Sequence, residues 1–106
     1  MRYVLAVIDT ETGMAGDRME AIDAFNDKLE AAGQRILAVG LSAPSASKVI
    51  DGRNGASVIT PGPLHDTKEY VSGLWVISAA SDEEAEALAL EGSAACGLRI
   101  EVRRIL

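Results

Sequence analysis

The run Tyr3-Val4-Leu5-Ala6-Val7-Ile8 puts apolar side chains at both parities of an extended chain. A strand built from it needs cover on both faces. The same demand comes from Arg35 to Leu41 and from Leu74-Trp75-Val76-Ile77. Asp9-Thr10 closes the first run well short of a bilayer span or the apolar part of a secretory leader, so the chain is expected to stay in the cytoplasm.

Two amphipathic segments are available as cover. Asp17-Arg18-Met19-Glu20 has the spacing of a capping box, and Met19, Ile22, Phe25, Leu29 and Ala32 follow at helical intervals until Gly33. The opposite face carries Glu20, Asp23, Asp27 and Glu30, which solvation explains without a metal. Ser81-Asp82-Glu83-Glu84 is a second capping box, with carboxylates where the helix dipole favours them. Ala85, Leu88 and Ala89 point inward from that helix, and Gly92 is its expected terminator. Between the two halves, Lys48-Val49-Ile50 and Ala56 to Thr60 flank Asp51-Gly52-Arg53-Asn54-Gly55 and predict a hairpin. Pro61-Gly62-Pro63 is expected to leave the ladder for a loop, with the next strand starting near Glu69 or Tyr70. Leu98, Ile100 and Val102 alternate with Arg99, Glu101 and Arg103 in a last strand with one dry face.

With 106 residues, 48% apolar and 25% charged, residues 1–106 are read as one folded domain. A net charge of −6 argues against nucleic acid and anionic membrane surfaces as partners. A single cysteine, Cys96, rules out an internal disulfide and is read as a small buried hydrophobe. No phosphate loop, metal-ligand set or nucleophile elbow is present, and no cofactor is implied.

The order β-α-β, hairpin, β-α-β resembles an α+β ferredoxin-like plait with an inserted β-hairpin. Two helices cover only one face of such a sheet. At about 25 cal/mol per Å², several wet apolar side chains on the other face cost a few kcal/mol, comparable with the stability of a small domain. A homodimer with its two sheets face to face removes that cost.

Pro61-Gly62-Pro63-Leu64-His65-Asp66-Thr67-Lys68-Glu69 resembles the Asp-Gly-Pro-Phe-x-Glu-Thr-Lys-Glu signature of the DGPF branch of YCII-related proteins. The likeness extends from the Met-Arg-Tyr-Val-Leu opening through Gly40-Leu41 and the hairpin to Gly73, Asp82-Glu84-Ala85 and Glu101-Val102-Arg103. It implies a dimeric α+β barrel. Pro61 and Leu64 depart from the signature's Asp and Phe. The wider family's suspected acid–base pair has its His in the first helix, and here that helix has none, so the pair does not carry over.

His65 is the only histidine, the side-chain type that titrates near neutrality. His65 and Asp66 are therefore the candidate catalytic residues, although neighbours in an extended chain point to opposite sides and need a turn to act together. A surface loop histidine is the plainer account of His65. Lys68 and Glu69 match the family pattern and are candidate ligand contacts; an ion-paired strand edge explains them as well. Tyr3 and Trp75 are candidates for an aromatic pocket wall or for core packing. Asp9 caps a turn or faces the site, and Arg99 and Arg103 are anion ligands or a charged strand edge. Two functions remain open: a dimeric ligand-binding or accessory module, and a cofactor-free enzyme moving a proton on a small organic molecule near His65 and Asp66. The burial demand predicts a sedimenting species of twice the 11.1 kDa chain mass at micromolar concentration; a tight monomer removes the twofold assembly.

Overall fold

The computed structural model describes residues 1–10 and 18–106. Its elements run in the order β1 (Arg2–Thr10), α1 (Met19–Ala31), β2 (Arg35–Gly40), β3 (Lys48–Asp51), β4 (Val58–Pro61), β5 (Glu69–Ser78), α2 (Asp82–Cys96) and β6 (Arg99–Arg104). Four strands form an antiparallel sheet in the order β2-β5-β1-β6, and β3 pairs with β4 in a separate hairpin. This is the α+β ferredoxin-like arrangement, with the hairpin placed between β2 and β5.

One sheet face meets the helices. Tyr3, Leu5 and Val7 of β1 lie beside Trp75 and Ile77 of β5, and all are buried against Phe25 and Leu29 of α1 and Ala85, Leu88 and Ala89 of α2. The opposite parity, Val4, Ala6 and Ile8 with Leu74 and Val76, is half-buried, and Leu37, Val39 and Val71 on the same face are exposed. With a smallest extent of 18 Å, the fold has the depth of one sheet and one helix layer. Among the described residues, the far face carries no second layer.

β1 extends further than its apolar run. A register shift between Val7 and Ile8 lets Asp9 and Thr10 pair with Tyr70 and Glu69, so the strand continues two residues past its last hydrophobe. Pro61 is the last residue of β4, opposite Lys48, rather than the first of a loop. An outer strand tolerates it because no ladder partner needs its missing N–H, and the chain turns at Gly62, whose N–H donates to the Ser47 carbonyl. At the hairpin tip, Asn54 and Gly55 take the positive φ angles of 53° and 79°.

The helix ends separate local from tertiary causes. Asp17, the expected cap of α1, lies outside the described residues; Gly33 ends α1 at φ 68°, as its position implies. Ser81 Oγ accepts the Glu84 N–H at 3.2 Å, which forms the N-cap of α2. The Glu84 carboxylate does not return to Ser81 but accepts from the Gln34 side chain. Gly92 does not terminate α2. It is buried mid-helix, where an added Cβ would lie 3.1 Å from the Phe25 ring and 3.2 Å from Ile100, so its smallness serves helix–helix packing. The terminator is Gly97, at φ 72°.

A close approach also joins β5 to β2. A Cβ on Gly73 would sit 2.8 Å from the Val39 carbonyl oxygen, while one on Gly40, its partner across the ladder, would meet nothing within 4 Å. Gly73→Ala is therefore expected to lower stability by about 1–3 kcal/mol in urea unfolding, whereas Gly40→Ala does not lower it. Equal behaviour of the two variants contradicts this packing.

Candidate functional site

Small residues on the sheet make room beneath the first turns of α1. Ala38, Gly40 and Gly73 sit where larger side chains would fill the layer, and Met19 and Ile22 bridge over them. The result is a cavity of about 280 Å³, with Val7 and Trp75 in its wall and Cys96 and Leu98 at its α2 side. Its lining is largely apolar, as ligand pockets usually are.

Trp75 is held in place by two contacts. Its ring meets Phe25 edge-on, with centroids 5.1 Å apart and planes at 84°. Its indole N–H donates to Asn26 Oδ1 at 2.8 Å. Asn26 follows Ile22 by four residues and so falls on the inward stripe of α1. That polar break in an apolar stripe was the readable sign of a site, and the hydrophobic pattern alone passes over it. Cys96 is buried, with its thiol near the Ser93 and Leu98 carbonyls.

The other candidates lie elsewhere. His65 and Asp66 are exposed on the loop between β4 and β5, beside Pro44, Pro63 and Tyr70 around a cleft of about 620 Å³. No hydrogen bond joins the two among the described residues. The structure thus places His65 and Asp66 in one hollow and Trp75 in another. Lys68 is exposed, and Glu69 is ion-paired with Arg99. Arg103 is paired with Glu101 at 2.9 Å. Asp9 is nine-tenths buried on the helix-facing side, and its Oδ1 accepts the Thr10 N–H at 2.7 Å. Among the described residues no cluster of three or more His, Cys, Asp or Glu could hold a metal ion, and no helix is long and apolar enough to cross a membrane.

Tyr3 belongs to the core. It sits at the start of β1, six residues or about 20 Å along the strand from Asp9, and donates its hydroxyl to Asp82 Oδ1 at 2.6 Å.

The profile of the YCII-related domain matches residues 1–105. This chain belongs to the YCII-related family. No curated protein matches the sequence. Among solved structures, the YCII-related chain is similar to 5-chloro-2-hydroxyhydroquinone dehydrochlorinase from Burkholderia phenoliruptrix AC1100, solved in complex with 2,5-dihydroxybenzoquinone. The two align with a TM-score of 0.57 over 100% of this chain and 94% of the other, at 15% identity, so the likeness is one of fold.

The Tyr3 contact gives this YCII-related protein a pH dependence. The hydrogen bond to Asp82, then burial, then the Asp82 charge push the Tyr3 phenol from 10.0 up to about 12. A raised folded-state value means that the neutral phenol favours folding: its contribution is complete below pH 10.0 and is lost as pH rises through about 12. Tyr3→Phe is expected to flatten the fall in urea midpoint across that interval; an unchanged slope shows that other groups set it.

Proposed function

We propose that this YCII-related protein is a ligand-binding module whose ligand, a small single-ring organic molecule, occupies the cavity beside Trp75, and that it acts as a homodimer joined through its uncovered sheet faces. The cavity carries the reading. An apolar hole of about 150 Å³ holds a benzene molecule, and pockets for drug-sized ligands run from about 300 Å³ upward. A volume of about 280 Å³ therefore suits one ring with a few substituents. The fold neighbour from Burkholderia was solved with a single-ring quinone, which supports the same size class.

The far sheet face supports the twofold assembly. Its centre is apolar, from Val4, Ala6, Ile8, Leu74 and Val76, and its β6 side carries the Glu69–Arg99 and Glu101–Arg103 ion pairs. An apolar centre with a charged rim is the ordinary anatomy of an interface. Four strands about 4.8 Å apart and 20–30 Å long offer roughly 500 Å² per copy, near the lower limit for a specific pair.

A second reading, a cofactor-free enzyme, is favoured by one observation: His65, Asp66 and Tyr70 border a single cleft. The neighbour's name, a dehydrochlorinase, points the same way. Proton transfer there requires His65 or Asp66 to meet the substrate directly, since the two do not orient one another.

Trp75 is the only tryptophan, so binding beside it can be followed by its fluorescence. Titration with hydroquinone is expected to give a saturable change, and Ala38→Leu, which fills the cavity from β2, is expected to abolish it while the fold is retained. His65→Gln leaves this binding intact if the module reading holds. Turnover of a substituted hydroquinone that disappears in His65→Gln favours the enzyme, and no saturable change in the wild type defeats the cavity as the binding site.

A further inference from the structure

We infer that the cavity selects uncharged rings bearing an oxygen that accepts a hydrogen bond, a carbonyl or a hydroxyl, and that the Asn26 side-chain amide is the group that reads it; this rests on the ligand-binding reading above. Trp75 sets the direction of that amide. An indole N–H only donates, so the 2.8 Å contact from Trp75 Nε1 holds Asn26 Oδ1 on the tryptophan and leaves the amide nitrogen as the free end. Nδ2 makes no hydrogen bond among the described residues. It is not sealed in either, because no fully buried side-chain nitrogen or oxygen of the described residues lacks a partner. Asn26 is half-buried and lines the cavity, so an amide with unpaired hydrogens belongs to the wall of an apolar hollow.

The rest of the lining decides the charge of what can enter. Among the described residues that line the cavity, none is Asp, Glu, Lys, Arg or His. Residues 11–17 contain no Lys, Arg or His and add no cation. Arg18 lies over Gly97 at the end of α2, outside the lining. Asp9, buried two residues beyond Val7 and also on the helix-facing side, brings a carboxyl group to that end of the sheet. A carboxylate entering this hollow would lose its water and meet no countercharge, which is costly. An uncharged carbonyl or phenol oxygen has less hydration to lose, and the amide replaces it.

The bulge supplies a second polar group. The register passes from Val7 opposite Gly73 to Ile8 opposite Val71, so Ser72 has no partner on β1. Its carbonyl accepts the Leu41 N–H at 2.8 Å, and the residue lines the cavity. A hydroxyl donates as readily as it accepts, so Ser72 suits either kind of substituent. The Cys96 thiol is engaged with the Ser93 and Leu98 carbonyls. The preference for an acceptor therefore falls to Asn26.

The test follows the indole N–H signal of Trp75, the only tryptophan, by nitrogen–proton correlation NMR on the full chain during titration with four small rings. Acetophenone accepts a hydrogen bond but cannot donate one, phenol does both, toluene does neither, and benzoate is charged. Wild-type protein is expected to bind acetophenone and phenol about threefold to tenfold more tightly than toluene, the range for one net hydrogen bond, and benzoate least tightly. Asn26→Asp keeps an acceptor for the indole and puts a second acceptor where the amide hydrogens were. Acetophenone should then lose its advantage over toluene, while phenol, which can donate, keeps its own. The wild-type ranking is read without any variant, so it stands whether or not Asn26→Asp folds. Equal binding of acetophenone and toluene by wild type, benzoate binding as tight as acetophenone, or an acetophenone preference that survives Asn26→Asp overturns this selectivity while leaving the cavity as a binding site. No shift of the indole signal with any ring overturns the cavity as well.

Discussion

The contact between β1 and β5 organises the whole protein. Tyr3, Leu5 and Val7 face the helices opposite Ile77, Trp75 and Gly73, while Val4, Ala6 and Ile8 face the other way opposite Val76, Leu74 and Val71. Both strands are apolar on both sides, and their pairing places them at the centre of the sheet with β2 and β6 at its edges; β2 is apolar at both parities as well, yet at the edge it stays mostly exposed. Two helices then satisfy one side only. The far face and the helix-side cavity arise from the same circumstance: the described residues supply one layer of cover, and that layer is thin where β2 and β5 carry glycine.

Electrostatics divides along the same line. The ion pairs Glu69–Arg99 and Glu101–Arg103 border the far face, where solvent screens them and they add little to stability. On the helix side, the contacts of Tyr3 with Asp82, Trp75 with Asn26 and Asp9 with the Thr10 N–H are more enclosed. Each of these secures a buried or half-buried group whose partner would be expensive to remove. Breaking any of them exposes an unmet donor or acceptor in the interior. Breaking a rim pair costs far less.

Much of the fold was legible because its causes are local. Ser81 caps α2 through a bond three residues away, and Gly33 ends α1 by a backbone angle that other residues resist. Strand parity in β6 follows from alternation alone, whereas β1 is apolar at both parities and its inward set is fixed only by the packing of the helices. What escaped the letters depends on distant neighbours. Gly92 looks like Gly97 in sequence, and only Phe25 and Ile100 pressing on it show that it is a packing glycine. Asp9 and Thr10 join β1 because a bulge lets Tyr70 and Glu69 reach them. The cavity is the hardest to foresee, since it is formed by the atoms that Ala38, Gly40 and Gly73 lack. His65 drew notice as the sole histidine, yet its chemical type says nothing about which hollow it borders.

The inserted hairpin has a character of its own. β3 and β4 are four residues each, pair among the described residues with one another alone, and leave Ile50 and Ile59 exposed on the ribbon. A ribbon so lightly tied to the sheet is an independent opening unit, whose amides should exchange with solvent well before those of β1. A change in the length of this appendage would therefore leave the register of the central strands undisturbed.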